Sequence, residues 1–278
     1  MDTAQLLKCE TVFHWMAFFS YVFSSVFFIH AVAFETPKAQ KIGFWLALIG
    51  LVPHSVALGV RWYAVGHGPY LLKLESFSSL AYGAVFMFLL SSYKAHKLRS
   101  VGFVVLPCCV LSMAIGFLSE SRVAEPPPSF QGLWFIIHTT SIIFAMGAFL
   151  ISLGAAILFL LKKRGREGKL YEITPTPEIL DTYSYKFAGF GFLFWAIMVA
   201  SGALWADESW GRYWAWDPIE TWSLITWLLF GLYLHLRRFY RWKGTKAAWL
   251  MIICFVFAII TLFFTPLVMK TIHSEFLL

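Results

Sequence analysis

The stretch GLWFIIHTTSIIFAMGAFLISLGAAILFLL, residues 132–161, decides the fold class of this chain. It contains no Asp, Glu, Lys or Arg, and it is longer than the ~20 helical residues that cross a bilayer. The whole chain follows this composition, since 59% of its 278 residues are hydrophobic and only 13% are charged. A soluble core of this size cannot bury so many apolar side chains. We therefore predict an all-α, polytopic membrane helix bundle, and we exclude a soluble enzyme, a nucleic-acid-binding protein and a disordered scaffold.

Apolar runs near this length predict about eight transmembrane helices. The predicted spans are approximately 11–34, 42–62, 76–93, 101–118, 132–161, 186–206, 221–240 and 247–269. Neither an internal repeat nor a low-complexity linker interrupts them. Only the loop 162–186 is long enough to suggest a boundary between helices. Because no linker or repeat supports a division there, we predict a single integral membrane domain over 1–278.

The basic residues predict the orientation of these spans. With the N-terminus outside, the inner loops hold most of the 22 Lys and Arg residues of the chain, namely Lys38, Lys41, Lys94, Lys97, Arg99, Lys162, Lys163, Arg164, Arg166, Lys169, Lys186, Arg237, Arg238, Arg241, Lys243 and Lys246. The positive-inside rule then predicts both termini on the outer, periplasmic side. The formal net charge of +7 fits contact with anionic lipid beside the membrane rather than with nucleic acid.

A second stretch, WADESWGRYWAWDPIETWSLITW over residues 205–227, contains six tryptophans. An aromatic belt at the membrane interface explains one or two tryptophans per helix end. It does not explain Trp210, Trp214 and Trp216 in a loop predicted over 207–220, because a solvated loop should not expose that much ring area. We interpret these tryptophans as a platform for a large, flat, apolar ligand.

Other residues of this loop are predicted to shape the platform. Gly211 permits close approach of the backbone to a ligand, and Pro218 is suited to the first turn of the next helix. Asp217 and Glu220 are expected to order the loop, either by balancing Arg212 or by accepting hydrogen bonds from indole N–H groups. No acid–base role is assigned to them.

The sequence WGRYWAWDPIETWSLITW, with YLH after it, resembles the tryptophan-rich WWD signature of heme-handling proteins. The form matches that of the CcsA (ResC) family, the membrane subunit of cytochrome c synthase, strongly over 205–240 and plausibly over most of the chain. This resemblance implies a binding site for heme b, a CcsB (ResB)-like membrane subunit as partner, and apocytochrome c with a C-x-x-C-H motif as the acceptor. The residues that match the signature are Trp210, Gly211, Trp214, Trp216, Asp217, Pro218 and Glu220.

The resemblance also implies axial ligands for the heme iron. His138, the last residue of the outer stretch PPPSFQGLWFIIH, matches one outer histidine of the family. His273 resembles the outer histidine of the C-terminal tail, although the family's His-Ser-Tyr reads His-Ser-Glu here. Both are predicted at outer helix ends, level with the tryptophan loop, and iron accepts imidazole from either face of the porphyrin. His235 matches the YLH histidine.

His235 predicts a second heme position. It follows Trp222 by 13 residues, which places it roughly 20 Å deeper at a rise of ~1.5 Å per residue. One porphyrin cannot reach both levels, so we predict a heme in the inner half of the bilayer. Its other ligand comes from the CcsB subunit in the family, and His30 is the candidate from this chain.

The remaining polar residues carry weaker signals. We interpret His14 and His54 as packing residues and His96 as solvated, whereas His67 could serve either the heme edge or a partner. The family pattern of Pro and then Asn-x-Tyr-Glu before the third span survives only as Pro69 and Glu75. Outer cations are candidate partners of the heme propionates; they are Arg61, Lys73, Arg122 and Arg212.

Taken with the resemblance, these patterns imply the membrane subunit of a cytochrome c heme lyase in a bacterial inner membrane, with a thylakoid membrane as the second possibility. The protein would move heme outward and present it for thioether attachment, with no catalytic residue apart from the heme-binding ones. A heme exporter or chaperone that hands heme to a separate ligase is the alternative, but the continuation DPIETWSLITW favours the synthase. A b-type electron carrier would need paired histidines at matching depth in this chain.

Overall fold

A computed structural model describes residues 2–119, 123–164 and 173–269, and these form helices, turns and loops without a strand. Within them, eight helical segments are long and apolar enough to cross a membrane, which confirms the predicted fold class. In chain order the helices are α1 Thr3–Ala33, α2 Pro37–Val65, α3 Lys73–Lys94, α4 Gly102–Phe117, α5 Leu133–Arg164, α6 Pro177–Trp210, α7 Pro218–Arg238, α8 Thr245–Ile259 and the short α9 Thr265–Val268. A 3-10 turn precedes α4, and a π turn joins α8 to α9.

Several helices continue beyond the predicted spans because polar residues prolong them. At the start of α1, the Gln5 N–H donates to the Asp2 carboxylate at 2.7 Å, and this capping box begins the helix at Thr3. The predicted loop 207–220 is wrong at both ends, since α6 ends at Trp210 and α7 begins at Pro218. A helix does not have to end where its apolar run ends, so the loop shortens to 211–217.

The chain divides into two compact units. The first unit comprises 1–125 and 162–176, and the second comprises 126–161 and 177–278. Nearly all of α5 therefore groups with α6, α7 and α8, whereas the sequence suggested a boundary after it. That the chain forms a single domain stays a prediction, as does the outward orientation of both termini.

The first unit is organised by close packing of α1 on α2. Small residues on α2 let the helices approach, since a Cβ on Gly50 would lie within 2.9 Å of the Ser20 side chain. Hydroxyl groups of α1 then reach the α2 backbone. Ser20 donates to the Leu46 carbonyl at 2.8 Å and Ser24 to the Gly43 carbonyl at 2.7 Å. Inside a bilayer such bonds hold helices together where the hydrophobic effect between them is weak.

The second unit has an aromatic core. The rings of Phe149 on α5 and Phe230 on α7 stack with centroids 3.7 Å apart. Trp195 on α6 is fully buried beside Phe149, and its indole N–H donates to the Ser223 carbonyl of α7 at 3.0 Å. These contacts fix α6 and α7 relative to α5, so the loop between α6 and α7 starts from a rigid frame.

Candidate functional site

The loop 211–217 has left-handed backbone at Gly211 and at Trp216. Gly211 has φ of 69°, and its N–H donates to the Asp207 carbonyl at 2.8 Å, which ends α6. Trp216 has φ of 59°, a conformation that is uncommon for a large side chain. Such a residue persists only where its surroundings hold it, and it occurs often at ligand sites.

Two carboxylates close the loop onto α7. Asp217 is the N-cap and accepts from the Ile219 N–H at 3.0 Å. Glu220 accepts from the N–H of Ala215 at 2.8 Å and from the N–H of Asp217 at 3.2 Å. With Pro218 at the first helical position, this is a capping box. The ordering role predicted for Asp217 and Glu220 is thus carried out through backbone N–H groups.

A cavity opens between this loop and helices α5, α6 and α7, and we call it the aromatic cavity. Its volume is about 40 Å³. A ligand as large as a porphyrin would therefore extend out of its mouth beside the loop. Its principal lining side chains are His138, Trp205, Trp210, Tyr213, Trp214 and Glu220.

Trp205 forms the fixed wall of the aromatic cavity. Its indole N–H donates to the Ser129 carbonyl at 2.7 Å, which ties the segment before α5 to α6. The rings of Phe135 and Trp210 lie 4.9 and 5.0 Å from the Trp205 ring, measured between centroids. We expected neither Trp205 nor Tyr213 in the site from the sequence, although Trp205 begins the tryptophan-rich stretch.

His138 on α5 reaches the same cavity with a defined tautomer. Its Nδ1 lies 2.8 Å from the Met198 carbonyl oxygen. A carbonyl oxygen can only accept, so Nδ1 carries the proton and Nε2 carries the lone pair that could coordinate a metal. The ring lies 5.9 Å from the Trp205 ring, and Gly202 leaves room for it, because a Cβ there would lie 2.7 Å from Nδ1.

The loop tryptophans divide into two kinds. Trp214 lines the aromatic cavity, and its indole Nε1 is buried without a hydrogen-bond partner among the described residues. A buried donor of this sort is costly unless a ligand or water accepts from it. Trp216 is 70% exposed and does not line the cavity, and its ring meets the Trp214 ring edge-on at 5.8 Å. The platform predicted from the sequence is therefore provided inside the cavity by Trp210 and Trp214.

His235 lies near the other end of α7 and does not line the aromatic cavity. It is exposed in a shallow groove between α6 and α7, and its ring lies 4.7 Å from the Phe239 ring. This His235 groove is lined by Tyr185, Lys186, Gly189, Leu234, His235, Arg238 and Phe239. The geometry thus keeps His138 and His235 at separate sites within the second unit.

Two further histidines, His30 and His273, are proposed as ligands of heme iron. His30 is an exposed residue near the end of α1 in the first unit, and its Nδ1 lies 3.0 Å from the Thr36 hydroxyl. His273 lies outside the described residues. Its role opposite His138 therefore stays a prediction, as does the role of His30 opposite His235.

The first unit contains a second group of histidines in a very different setting. Ser78 lies at its centre, with its hydroxyl 2.9 Å from His14 Nε2 and 2.8 Å from His54 Nε2. The second ring nitrogen of His54 lies 3.2 Å from the Tyr21 hydroxyl, and that of His14 lies 3.3 Å from the Glu10 carboxylate. The sequence interpreted these histidines as packing residues, and they lie in the core with both nitrogens in polar contacts.

Arg61 extends this group, and we call Glu10, His14, His54, Arg61, Glu75 and Ser78 the buried polar cluster. The Arg61 guanidinium is 1% exposed and lies 2.8 Å from Glu75 and 3.3 Å from Glu10. The suggestion that Arg61 binds a heme propionate is wrong, because two buried carboxylates already surround it. Glu75 also accepts from the N–H groups of Leu71 and Leu72, so the residue left from the family motif caps α3.

The donor set of the second unit fits heme better than a bare ion. The described residues contain no group of three or more His, Cys, Asp or Glu that could hold an ion. A porphyrin supplies its own equatorial nitrogens, so one or two imidazoles complete the coordination. His138, beside aromatic walls and the buried Trp214 N–H, meets that requirement from one side.

Comparison with known proteins identifies the family of this chain. A family model described as cytochrome C assembly protein matches residues 69–273. The cytochrome c biogenesis protein CcsA of Guillardia theta is 30% identical over 84% of this chain and 85% of its own length. CcsA of Microcystis aeruginosa is also 30% identical, over 79% of this chain and 83% of its own length.

Two further similarities cover only part of a longer protein. CcsA of Chlamydomonas reinhardtii is 37% identical over 68% of this chain, which spans 55% of that protein. The solved structure of cytochrome c heme lyase CcmF superposes with a TM-score of 0.76 at 14% identity, over 99% of this chain and 48% of that one. The latter similarity shows a shared fold.

Proposed function

This chain belongs to the cytochrome c assembly protein family and acts in cytochrome c biogenesis, and from that premise we propose that its aromatic cavity presents heme to apocytochrome c. The relatives at 30% identity extend over most of the chain, so the tryptophan loop and α5 fall within the shared region. We further propose heme b as the bound form. Three features of the cavity support these proposals. They are the His138 imidazole as an iron ligand, the rings of Trp210 and Trp214 as a flat surface, and the buried indole N–H of Trp214 as a hydrogen-bond donor.

The observation that carries the proposal is the tautomer of His138. The Met198 carbonyl holds the proton on Nδ1, so Nε2 is the coordinating nitrogen at the wall of the cavity. The fixed ring of Trp205 lies beside this imidazole, and the imidazole packs against Gly202 of α6, where any side chain would displace it. Preorganisation of this kind lowers the entropic cost of binding.

The protein's part in the reaction is binding and orientation. Each thioether forms when a thiol S–H of the C-x-x-C-H motif adds across a vinyl C=C of heme, so one C–S bond and one C–H bond form and no electrons enter or leave. The thiols belong to the acceptor, so this chain needs no nucleophile of its own. Trp210 and Trp214 would fix the porphyrin plane, and the capped loop 211–217 would limit access of water.

The other heme ligands and the location of the protein are further proposals. We place His273 on the opposite face of the heme held by His138. His235 would hold an earlier heme, with His30 or a CcsB-like partner subunit supplying the opposite ligand. The chain is a multi-pass membrane protein. Its location in a bacterial inner membrane, with the aromatic cavity on the outer side, stays our prediction from the sequence.

The proposal is tested by attachment of heme to an acceptor. The purified protein, with its co-expressed partner, is mixed with heme, a thiol-reduced C-x-x-C-H apocytochrome and a reductant, and covalent heme is detected on denaturing gels. We expect wild type and His96→Ala, which changes an exposed histidine in the turn before α4, to form product, and His138→Ala to form none.

Two results would contradict this proposal. Covalent product from His138→Ala at the wild-type rate would remove the aromatic cavity from the reaction. Heme release to a separate ligase, with no product from the purified protein and partner themselves, would favour the exporter or chaperone instead.

A further inference from the structure

We propose that Lys186 and Arg238 bind the two propionates of heme in the His235 groove, so that this groove recognises heme by both iron and carboxylates. The inference rests on the proposed function and adds a specificity site to it. Both cations line the groove together with His235, and its lining contains no Asp or Glu. A ligand that carries two negative charges would therefore balance them.

The neighbouring residue Arg237 shows why Arg238 is available. Arg237 forms a two-pronged ion pair with Asp181, with nitrogen to oxygen distances of 2.6 and 2.7 Å. Asp181 also accepts from the Gly244 N–H at 2.9 Å, so its role is to join α6, α7 and the start of α8. Arg238 lines the His235 groove and also borders the adjacent cavity, whose lining includes Glu178 and Asp181. In the described part of the chain, neither Arg238 nor Lys186 forms an ion pair.

The arrangement of the groove matches the parts of heme. Arg238 follows His235 by three residues, so both side chains lie on one face of α7 about one turn apart. Lys186 contributes from α6, and the rest of the floor is apolar at Gly189 and Leu234. An imidazole for iron, an apolar surface for the ring and two cations for the carboxylates occur together.

A phospholipid headgroup is the competing source of negative charge. It would satisfy Lys186 and Arg238, which lie at the end of α7 that the basic loops predict at the inner face. It would leave the exposed imidazole of His235 without a function. Heme uses all three side chains, and for this reason we favour it.

The test compares heme with its dimethyl ester, which keeps the ring and the iron but has no propionate charge. Absorbance titrations are made on the wild type and on His235→Ala, each purified with its co-expressed partner. The binding that is lost in His235→Ala is assigned to the groove. The variants are Lys186→Gln/Arg238→Gln, the charge-keeping Lys186→Arg, and Lys243→Gln as control. Lys243 is exposed and lines the adjacent cavity but not the groove.

We expect the groove of the wild type to prefer heme over the ester by about tenfold, the effect of two partly solvated ion pairs. Lys186→Gln/Arg238→Gln should abolish that preference, and Lys186→Arg and Lys243→Gln should keep it. Equal binding of heme and ester in the wild type, or an unchanged preference in the double variant, would overturn this inference and leave heme binding at His235 intact. Absence of any His235-dependent binding would overturn both this inference and the inner heme site of the proposed function.

Discussion

The buried polar cluster of the first unit and the aromatic cavity of the second both contain histidine within membrane-spanning helices, yet their chemistry differs. In the cluster, each nitrogen of His14 and His54 lies within 3.3 Å of a hydroxyl or carboxylate group. In the cavity, His138 has its proton fixed by a carbonyl and lines open space, beside the indole N–H of Trp214 that has no hydrogen-bond partner among the described residues.

The contrast distinguishes a structural polar group from a binding one. A buried network whose charges are paired stabilises helix positions, and its histidines do not line the aromatic cavity or the His235 groove. An imidazole oriented at a cavity wall has a fixed geometry, and the buried indole N–H of Trp214 beside it has no hydrogen-bond partner among the described residues. A histidine in a membrane helix is thus informative about ligands only when its neighbours are known.

The largest effect is expected in the cluster, where Arg61→Met removes the cation between Glu10 and Glu75. Two buried carboxylates would then lack their countercharge, which costs about 3–5 kcal/mol of folding free energy. The protein should fail to accumulate in the membrane, as measured by quantitative immunoblotting. A purified Arg61→Met protein with normal yield and thermal midpoint would show that the cluster does not stabilise the first unit.

Two variants sharpen that result. Arg212→Met changes an exposed arginine in the loop 211–217 and should accumulate normally. The triple variant Glu10→Gln/Arg61→Met/Glu75→Gln leaves no buried charge in the ion-paired group and should recover part of the yield. Recovery would separate the cost of unpaired charge from the loss of packing.

In the aromatic cavity, Trp214→Ala should release heme while the protein still inserts. It removes about 150–250 Å² of aromatic surface, which corresponds to several kcal/mol of contact at ~25 cal/mol per Å². Trp216→Ala should have a much smaller effect, since that side chain is 70% exposed and outside the cavity. Heme per protein is measured by absorbance after purification, and equal losses in both variants would contradict the division between the two tryptophans.

A smaller effect is expected from the cap of α7. Asp217→Ala removes the acceptor for the Ile219 N–H and should destabilise the ordered loop by about 1 kcal/mol, or about fivefold in heme affinity. Asp217→Asn retains a capping oxygen and should bind heme nearly as well as wild type. If Asp217→Asn loses as much heme as Asp217→Ala, the charge of Asp217 matters more than its capping.

The eight membrane-spanning helices could be predicted from the sequence because apolar length alone dictates them. Their ends could not, since the capping box at Asp2 and the polar turn Asp207–Trp210 extend helices beyond the apolar runs. Likewise, Asp217 and Glu220 were expected to order the loop, but the backbone N–H groups they bind depend on where α7 begins.

Within the candidate site, residue types were predictable and their contacts were not. From the sequence, Trp214 and Trp216 have the same predicted role, but in the structure Trp214 lines the cavity, whereas Trp216 is exposed and has a left-handed backbone. The Met198 carbonyl that orients His138 is sixty residues away in sequence and carries no side-chain signal. Arg61 was misassigned for the same reason, because its carboxylate partners lie on α1 and α3.

The proposed function depends most on the binding of heme iron by His138 Nε2 in the aromatic cavity. The most direct measurement is the absorption and electron paramagnetic resonance spectrum of His138→Gly, purified with its partner with and without added imidazole. We predict that this variant loses the heme of the cavity, that imidazole restores it with a low-spin signal, and that a bulky 2-substituted imidazole restores it poorly. A His138→Gly protein with wild-type heme content and spectrum in the absence of imidazole would contradict that role of His138.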